Sequence, residues 1–197
     1  LRRGKHTNAE ILEGARLLRK HNIRFTLSNI VGFYGETLDL ALETLKINQQ
    51  AKPELGLMCI LQPYPGTQIY ERYKDKNYID NDLSVEDIPI LEVWGTEKSY
   101  VTSVIKQENM NQLINFHSFF PLLVEHGWLL PIIKPFLRLP PNKYFETFPL
   151  WYKMKIKIKY ATNWQEKINY VFQVTRNALP KFIQNPIESL FHIHKQY

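Results

Sequence analysis

The chain has 197 residues, of which 44% are hydrophobic and 13% aromatic, and this composition excludes an intrinsically disordered protein. Its single cysteine, Cys59, excludes a disulfide scaffold and any zinc or iron–sulfur site built from several thiolates of this chain. With 25 basic and 19 acidic residues the net charge is +6, which is compatible with nucleic acid or anionic lipid as a partner and selects neither.

The start of the sequence carries no targeting signal. The first residue is Leu1 and not Met, and no signal-peptide pattern follows, which predicts that the chain is a piece of a longer polypeptide. No run of 18 apolar residues occurs, so no transmembrane helix is expected. The expected location is cytoplasmic, with a membrane-peripheral location as the alternative.

Residues 7–22 predict the first helix. Thr7–Glu10 has the spacing of a capping box, with a hydroxyl three residues before a glutamate. Apolar side chains then recur at helical spacing, at Ile11, Leu12, Ala15 and Leu18. We expect Asn22 to end this helix in a left-handed conformation.

A strand, a glycine turn and a second helix follow. Residues 23–31 alternate in polarity and are rich in β-branched and aromatic side chains, which predicts a strand. Gly32–Gly35 is typical of a turn, and Glu36 and Thr37 are expected to open the second helix.

The second predicted strand, residues 55–61, is apolar throughout, as expected for a strand buried on both faces. A loop over 62–66 leads to Thr67, the expected N-cap of a third helix. Alternating helices and strands indicate a parallel sheet or a (β/α) barrel, in which ligands bind beyond the carboxyl ends of the strands. These ends are residues 29–36 and 62–67.

The second half of the chain is rich in aromatic residues and prolines. Residues 109–124 predict a helix, and residues 128–139, apolar with two prolines, predict a broken helix. Residues 162–179 are expected to form a further helix. Its expected buried side chains are Trp164, Ile168, Val171 and Phe172.

Residues 151–160 contain four lysines at every second position: Lys153, Lys155, Lys157 and Lys159. The alternation fits an amphipathic strand, but Trp151, Met154 and Ile158 also share one helical face, so strand and helix stay open. A solvated face is the ordinary interpretation of such lysines, and weak contact with anionic lipid is the alternative. Exposure of Trp128, Leu129 and Phe136 would favour that contact.

Charge divides the chain into three parts. Residues 80–97 have six acidic residues and no basic one, whereas residues 131–181 have ten Lys and Arg against two Glu. We therefore expect residues 1–79 to form one part, 80–97 an acidic linker and 98–197 a mostly helical C-terminal region.

Three segments carry a resemblance to a known family. Val31–Thr37 resembles the Gly-Leu/Phe-Pro-Gly-Glu-Thr segment of radical S-adenosylmethionine enzymes, and Gln62–Tyr70 resembles their Pro-x-Pro-Gly-Thr-x-x-Tyr segment. Arg2–Thr7 is similar to the Arg-Gly-His-Thr turn after their fourth barrel strand. The resemblance covers residues 1–79. It implies an α/β fold, namely the last two strand–helix units of a partial (β/α) barrel, followed by the mostly helical region.

The same resemblance, with the chemistry of the strand ends, suggests the cofactor-binding residues. Glycines allow close approach of a ligand, amides donate and accept hydrogen bonds, and aromatic rings lie against adenine. Glu36 is either a ligand contact or a helix cap. The candidate residues for S-adenosylmethionine are Asn29, Gly32, Phe33, Gly35, Glu36, Gln62 and Tyr64; no catalytic residue and no metal ligand is assigned.

Two departures from the family pattern matter. Tyr34 stands where the family has proline, which predicts a looser or differently shaped loop. The Cys-x-x-x-Cys-x-x-Cys motif that binds the [4Fe–4S] cluster is absent, so we expect this chain alone to be inactive. In the family that motif lies upstream, as does the cobalamin-binding domain of the subfamily that the C-terminal region most resembles.

The resemblance implies a radical S-adenosylmethionine enzyme that modifies or methylates an organic substrate. Its implied partners are the missing N-terminal part of the same polypeptide and a small-molecule or lipid-like substrate, with no nucleic acid. The alternative is a noncatalytic, membrane-peripheral binding module on a half-barrel scaffold. Half of an unrelated (β/α) barrel enzyme is a third interpretation.

Overall fold

The computed structural model describes residues 7–80, 83–84, 103–141, 145, 152, 155, 158–168 and 171. The chain divides into two compact units, Leu1–Glu146 and Thr147–Tyr197. The first unit contains helices α1 (Asn8–Lys20), α2 (Leu38–Ala51), α3 (Gln68–Asp75), α4 (Met110–Glu125) and α5 (Leu130–Ile133), with strands β1 (Thr26–Val31) and β2 (Leu55–Ile60). Short 3-10 helices flank α5 at Gly127–Leu129 and Phe136–Arg138.

The two strands form a parallel pair joined through α2. They run in register from Thr26 beside Leu55 to Val31 beside Ile60. The predicted strand–helix–strand unit is therefore confirmed, with the first strand starting three residues later than expected. The fold is mixed α/β, with a two-stranded parallel sheet and helices in the described residues.

Threonine side chains begin the first three helices. Thr7 Oγ1 accepts the N–H of Glu10 while the Glu10 carboxylate accepts the N–H of Thr7 at 2.6 Å, so the predicted capping box is present. Thr37 and Thr67 cap α2 and α3 in the same way, through the N–H groups three residues on. Each cap satisfies a backbone donor that the helix itself leaves unpaired.

One face of the sheet is covered and the other is open. Gly56 faces α2 and α4, since a Cβ placed there would lie 3.1 Å from Val124 and 3.2 Å from Asn48. On the opposite face Ser28 and Ile30 are exposed and Cys59 is half-buried. On this face of β2, Leu55 is buried and Leu57 is half-buried, so the expected burial of the second strand on both faces is met only in part, because α2 and α4 pack on the same side.

The core of the first unit lies between the sheet and α4. Phe116 and Phe120 are fully buried and meet edge to face, with ring centroids 5.6 Å apart. Leu45 of α2 and Ile60 of β2 belong to the same cluster. This packing places α4 beside β2, so the expected division of the chain at residues 80–97 does not separate the compact units. Apart from residues 80, 83 and 84, that acidic segment lies outside the described residues.

The second unit is helical at most of its described residues, with a non-helical stretch at 161–163. Residues 152, 155 and 158–160 are helical, which favours helix over strand for the segment that the sequence left open. Residues 164–168 are also helical, but the expected buried face is wrong: Trp164, Ile168 and Val171 are exposed. Phe172 lies outside the described residues.

Among the described residues, no helix combines the length and the apolar character that crossing a bilayer requires.

Candidate functional site

The loops that follow β1 and β2 lie side by side at the carboxyl edge of the sheet. The N–H of Leu61 donates to the carbonyl of Val31 at 2.8 Å, which continues the strand pairing to the start of both loops. Gly32 has φ = +88°, and a Cβ there would lie 3.2 Å from the Ile60 side chain. Glycine is therefore required at this position both for its backbone conformation and for the close approach to β2.

The backbone of the loop 32–35 is held by the protein itself. The Glu36 carboxylate accepts the N–H groups of Gly32 at 2.7 Å and Phe33 at 3.1 Å. The next two donors are also paired, because Tyr34 N–H donates to the Tyr73 hydroxyl at 3.1 Å and Gly35 N–H to Gln107 Oε1 at 2.9 Å. Four consecutive backbone donors of the loop are thus paired within the protein.

The side chain of Tyr34 strengthens this arrangement. Its ring stacks on Tyr78 at an interplanar angle of 7°, and Tyr78 meets Tyr73 edge to face. Asn109, at the start of α4, donates its side-chain N–H to the Glu36 carbonyl at 2.6 Å. The expectation of a looser loop at Tyr34 is not met, because contacts distant in sequence anchor it.

The Glu36 carboxylate stabilises this loop through its backbone N–H groups. It does not cap α2, since the N-cap of that helix is Thr37. Burial raises the pKa of Glu36 above its ordinary value of 4.5, against the hydrogen bonds from Phe33 and Gly32, which lower it. Both N–H groups bond the same carboxylate oxygen, so a glutamine can present one amide oxygen in its place.

We expect Glu36→Ala to lower the free energy of unfolding by about 1–3 kcal/mol, because two loop donors lose their acceptor. Glu36→Gln, the matched control, is expected to retain most of the stability. Since the folded-state pKa is raised, the carboxyl contributes most at low pH, and its contribution decreases as pH rises from 4.5 through the raised value. Urea unfolding of the wild type and Glu36→Gln across this range measures the difference, and a wild-type advantage that grew with pH would contradict it.

Asn29 does not reach the edge where it was expected. Its side-chain N–H donates to the carbonyl of Leu57 at 2.8 Å and to Asn48 Oδ1 at 3.2 Å, while its own oxygen accepts from Asn48 at 3.0 Å. Asn48 belongs to α2, so the amide of Asn29 lies on the helix-covered face. Asn29 was a candidate ligand contact together with Gly32 and Gln62, but its amide instead holds strand and helix together.

The remaining candidates differ in how much surface they offer. Gln62 is buried directly after β2, and Phe33 packs against the core cluster. The ring of Tyr64 is 41% exposed in the second loop, and the ring of Tyr34 is 42% exposed in the first, so both offer surface to a planar ligand at this edge. Gly66, in the same loop, has φ = +81°, as the predicted turn requires.

A cleft of about 670 Å³ lies beside the first loop. It brings Gly35 and Glu36 together with Lys106 and Gln107 before α4 and with Lys134 and Arg138 after α5. The last four were not predicted from the sequence, because they lie 70 or more residues away in the chain. The spacing of Lys134 and Arg138, four residues apart in an apolar segment, was the available signal.

The charges of this cleft are mixed. Lys134 lies 4.0 Å from Asp39, at the start of α2, and Lys106 pairs with Asp80 at 2.5 Å. Both pairs are exposed, so each contributes little to stability. The cleft therefore offers cations, carboxylates and amides to a polar ligand and has no strongly buried charge among its described pairs.

Within the described part of the chain, no group of three or more His, Cys, Asp or Glu side chains is placed to hold a metal ion. Comparison of this chain with known protein families, with curated protein sequences and with solved structures gives no match.

Proposed function

We propose that this chain is the C-terminal portion of a radical S-adenosylmethionine enzyme, with β1 and β2 as the last two strands of a partial (β/α) barrel. The observation that carries the proposal is the one-sided cover of the parallel sheet. Helices pack on one face, while Thr26, Ser28 and Ile30 are exposed on the other. Parallel strands are nearly always covered on both faces, and in a barrel the second face points to the interior.

Two further features support a missing remainder of the barrel. In the described residues β1 and β2 pair only with each other, so each strand has one open edge. The first helix, α1, has an apolar side chain at every turn but buries only Ala15. The missing N-terminal part of the same polypeptide is, in this proposal, the partner that would cover these surfaces.

The residues of this chain fit S-adenosylmethionine but not a [4Fe–4S] cluster. Tyr64 offers an exposed ring to the adenine of S-adenosylmethionine, while the loop 32–35 would shape the cavity wall, its donors being engaged. A [4Fe–4S] cluster does not fit, because Cys59 is the only thiol in the sequence and lies within β2. The ligands of the cluster and any cobalamin-binding domain belong to the missing part.

The resemblance implies reductive cleavage of S-adenosylmethionine at the cluster, followed by radical modification or methylation of a small-molecule or lipid-like substrate. The residues of this chain would shape one side of the cavity and exclude water from it. The mostly helical region after residue 98 would cover the open end of the barrel and help select the substrate.

The second candidate is a noncatalytic, membrane-peripheral binding module on a half-barrel scaffold. One observation favours it: the four N–H groups of residues 32–35, at the proposed cofactor-binding edge, are all paired within the protein. A loop closed in this way is stable without a ligand.

The DNA upstream of the Leu1 codon separates the two candidates. The enzyme proposal expects an open frame that encodes Cys-x-x-x-Cys-x-x-Cys. After anaerobic reconstitution, the longer polypeptide is expected to absorb near ~400 nm and to release 5′-deoxyadenosine from S-adenosylmethionine under reducing conditions. The 197-residue chain, with one thiol, is the control and is expected to do neither. A start codon directly before Leu1, or a stoichiometric cluster in the short chain, would overturn the proposal.

A further inference from the structure

The segment 127–139 has both buried and exposed apolar side chains. Its inner side packs into the core through Ile133 and Leu137, both buried. Its outer side carries four large apolar residues at intervals of four, four and three positions, which we call the outer stripe. Their exposed fractions are Trp128 71%, Ile132 56%, Phe136 47% and Leu139 45%.

An apolar outer side is unusual for a segment on a protein surface. Surface helices are normally polar opposite the side that packs, and helices apolar all round are buried in protein or in a membrane. Exposed large apolar side chains that cluster mark an interaction surface, whereas single ones need no explanation. Pro131 and Pro135 restrict the backbone between the members of the stripe, so the stripe is presented by a preorganised segment.

The charged residues within the segment are both basic, and Asp39 of α2 lies 4.0 Å from Lys134. Lys134 and Arg138 are exposed and four residues apart, and the segment 127–139 contains no acidic residue. The net charge of the whole chain is +6. A surface that combines exposed apolar residues, a tryptophan and cations complements the acyl boundary and phosphates of an anionic bilayer.

We propose that the outer stripe inserts into the interface of an anionic lipid bilayer. Trp128, Ile132 and Phe136 enter the boundary between headgroups and acyl chains, while Lys134 and Arg138 contact lipid phosphates. Tryptophan favours this depth because its ring is largely apolar and its N–H remains near water. The contact lies in the described segment 127–139 and needs no contribution from the lysines at 153–159, and it does not depend on the proposed enzyme function.

The test uses the full 197-residue chain and a matched pair of double variants. Trp128→Ser/Ile132→Ser removes half of the stripe. Trp164→Ser/Ile23→Ser removes a tryptophan and an isoleucine of nearly equal exposure, 74% and 53%, from outside the segment. Co-sedimentation is measured with phosphatidylcholine vesicles that contain about 30% phosphatidylglycerol, at about 50 mM and about 500 mM salt.

We expect the wild type to bind these vesicles at low salt and the stripe variant to bind about tenfold or more weakly. The control variant is expected to stay within about twofold of the wild type, and Lys134→Gln/Arg138→Gln to lose about fivefold per charge removed. Quenching of tryptophan fluorescence by brominated lipid should decrease in Trp128→Phe and stay unchanged in Trp164→Phe.

Three outcomes would overturn the proposal. The first is no binding of the wild type at low salt, and the second is equal weakening of both double variants. The third is that a second copy of the chain covers the stripe. Sedimentation velocity would then show a dimer that the stripe variant no longer forms, while the variants would bind vesicles equally. Circular dichroism and thermal unfolding establish that each variant is folded before it is compared.

Discussion

Phe120→Ala is expected to lower the free energy of unfolding by about 3–5 kcal/mol, the largest effect of any single substitution that we predict. Phe120 is fully buried in α4, meets Phe116 edge to face, and lies 3.4 Å from the position of a Cβ on Gly56. Loss of the ring leaves a cavity between α4 and β2. The neighbouring side chains cannot fill this cavity, because their backbone is held in place by the helix and the strand. Urea unfolding at constant pH measures the change.

The matched control is Phe136→Ala, the same truncation in the exposed outer stripe. Phe136 is 47% exposed, so its truncation removes only part of the buried surface that Phe120→Ala removes, and the expected cost is about 1 kcal/mol. Equal destabilisation by both variants would contradict the placement of α4 against the sheet. A small destabilisation by Phe120→Ala would show that neighbouring side chains fill the space left by the ring at little cost in free energy.

Asn48→Ala is expected to cost about 1–3 kcal/mol. Asn48 is fully buried, donates to the carbonyl of Thr44 at 2.9 Å and exchanges two side-chain hydrogen bonds with Asn29. Its truncation leaves the Asn29 oxygen without this donor in an apolar setting between α2 and the sheet, where water cannot readily replace it. Chemical unfolding of the single variants gives the cost.

A double-mutant cycle tests whether the two asparagines act as a unit. Asn29→Ala/Asn48→Ala is expected to cost less than the sum of its single variants, by about 0.5 kcal/mol or more, because the second truncation removes a group already left unpaired. The control cycle pairs Asn29→Ala with Asn115→Ala, a buried amide that instead bonds the carbonyls of Leu137 and Leu139. Additivity in the first cycle would contradict the pairing.

Phe120 and Asn48 both lie on the helix-covered face of the sheet. Packing on this face also affects the candidate site, because the same helices hold the strand ends that carry the loops. α2 and α4 fix the ends of β1 and β2, and Asn109 at the start of α4 bonds the first loop. A substitution that loosens α4 is therefore expected to loosen the loop as well. Changes in the loop of a Phe120 variant would be consequences of packing and not of altered ligand contact.

Patterns within a few residues were enough to predict the local elements. The capping box at Thr7, the N-cap at Thr67 and the positive φ of Gly32 and Gly66 all depend on near neighbours in the chain. The parallel pairing of the strands also followed, since strands joined by a helix that returns the chain pair in parallel. The broken helix over 128–139 followed from its prolines.

Packing between residues distant in sequence determined which strand face is covered and which loop donors are paired. The alternation of β1 could not show that Asn29 would face α2, because both faces of that strand carry polar residues and the choice depends on where α2 lies. The donors of residues 32–35 find partners as far away as Tyr73 and Gln107. Local motifs are specified by sterics and hydrogen bonds between residues close in sequence. Which strand face is covered, and which loop N–H groups are paired, depends on contacts between distant residues that no short window of sequence contains.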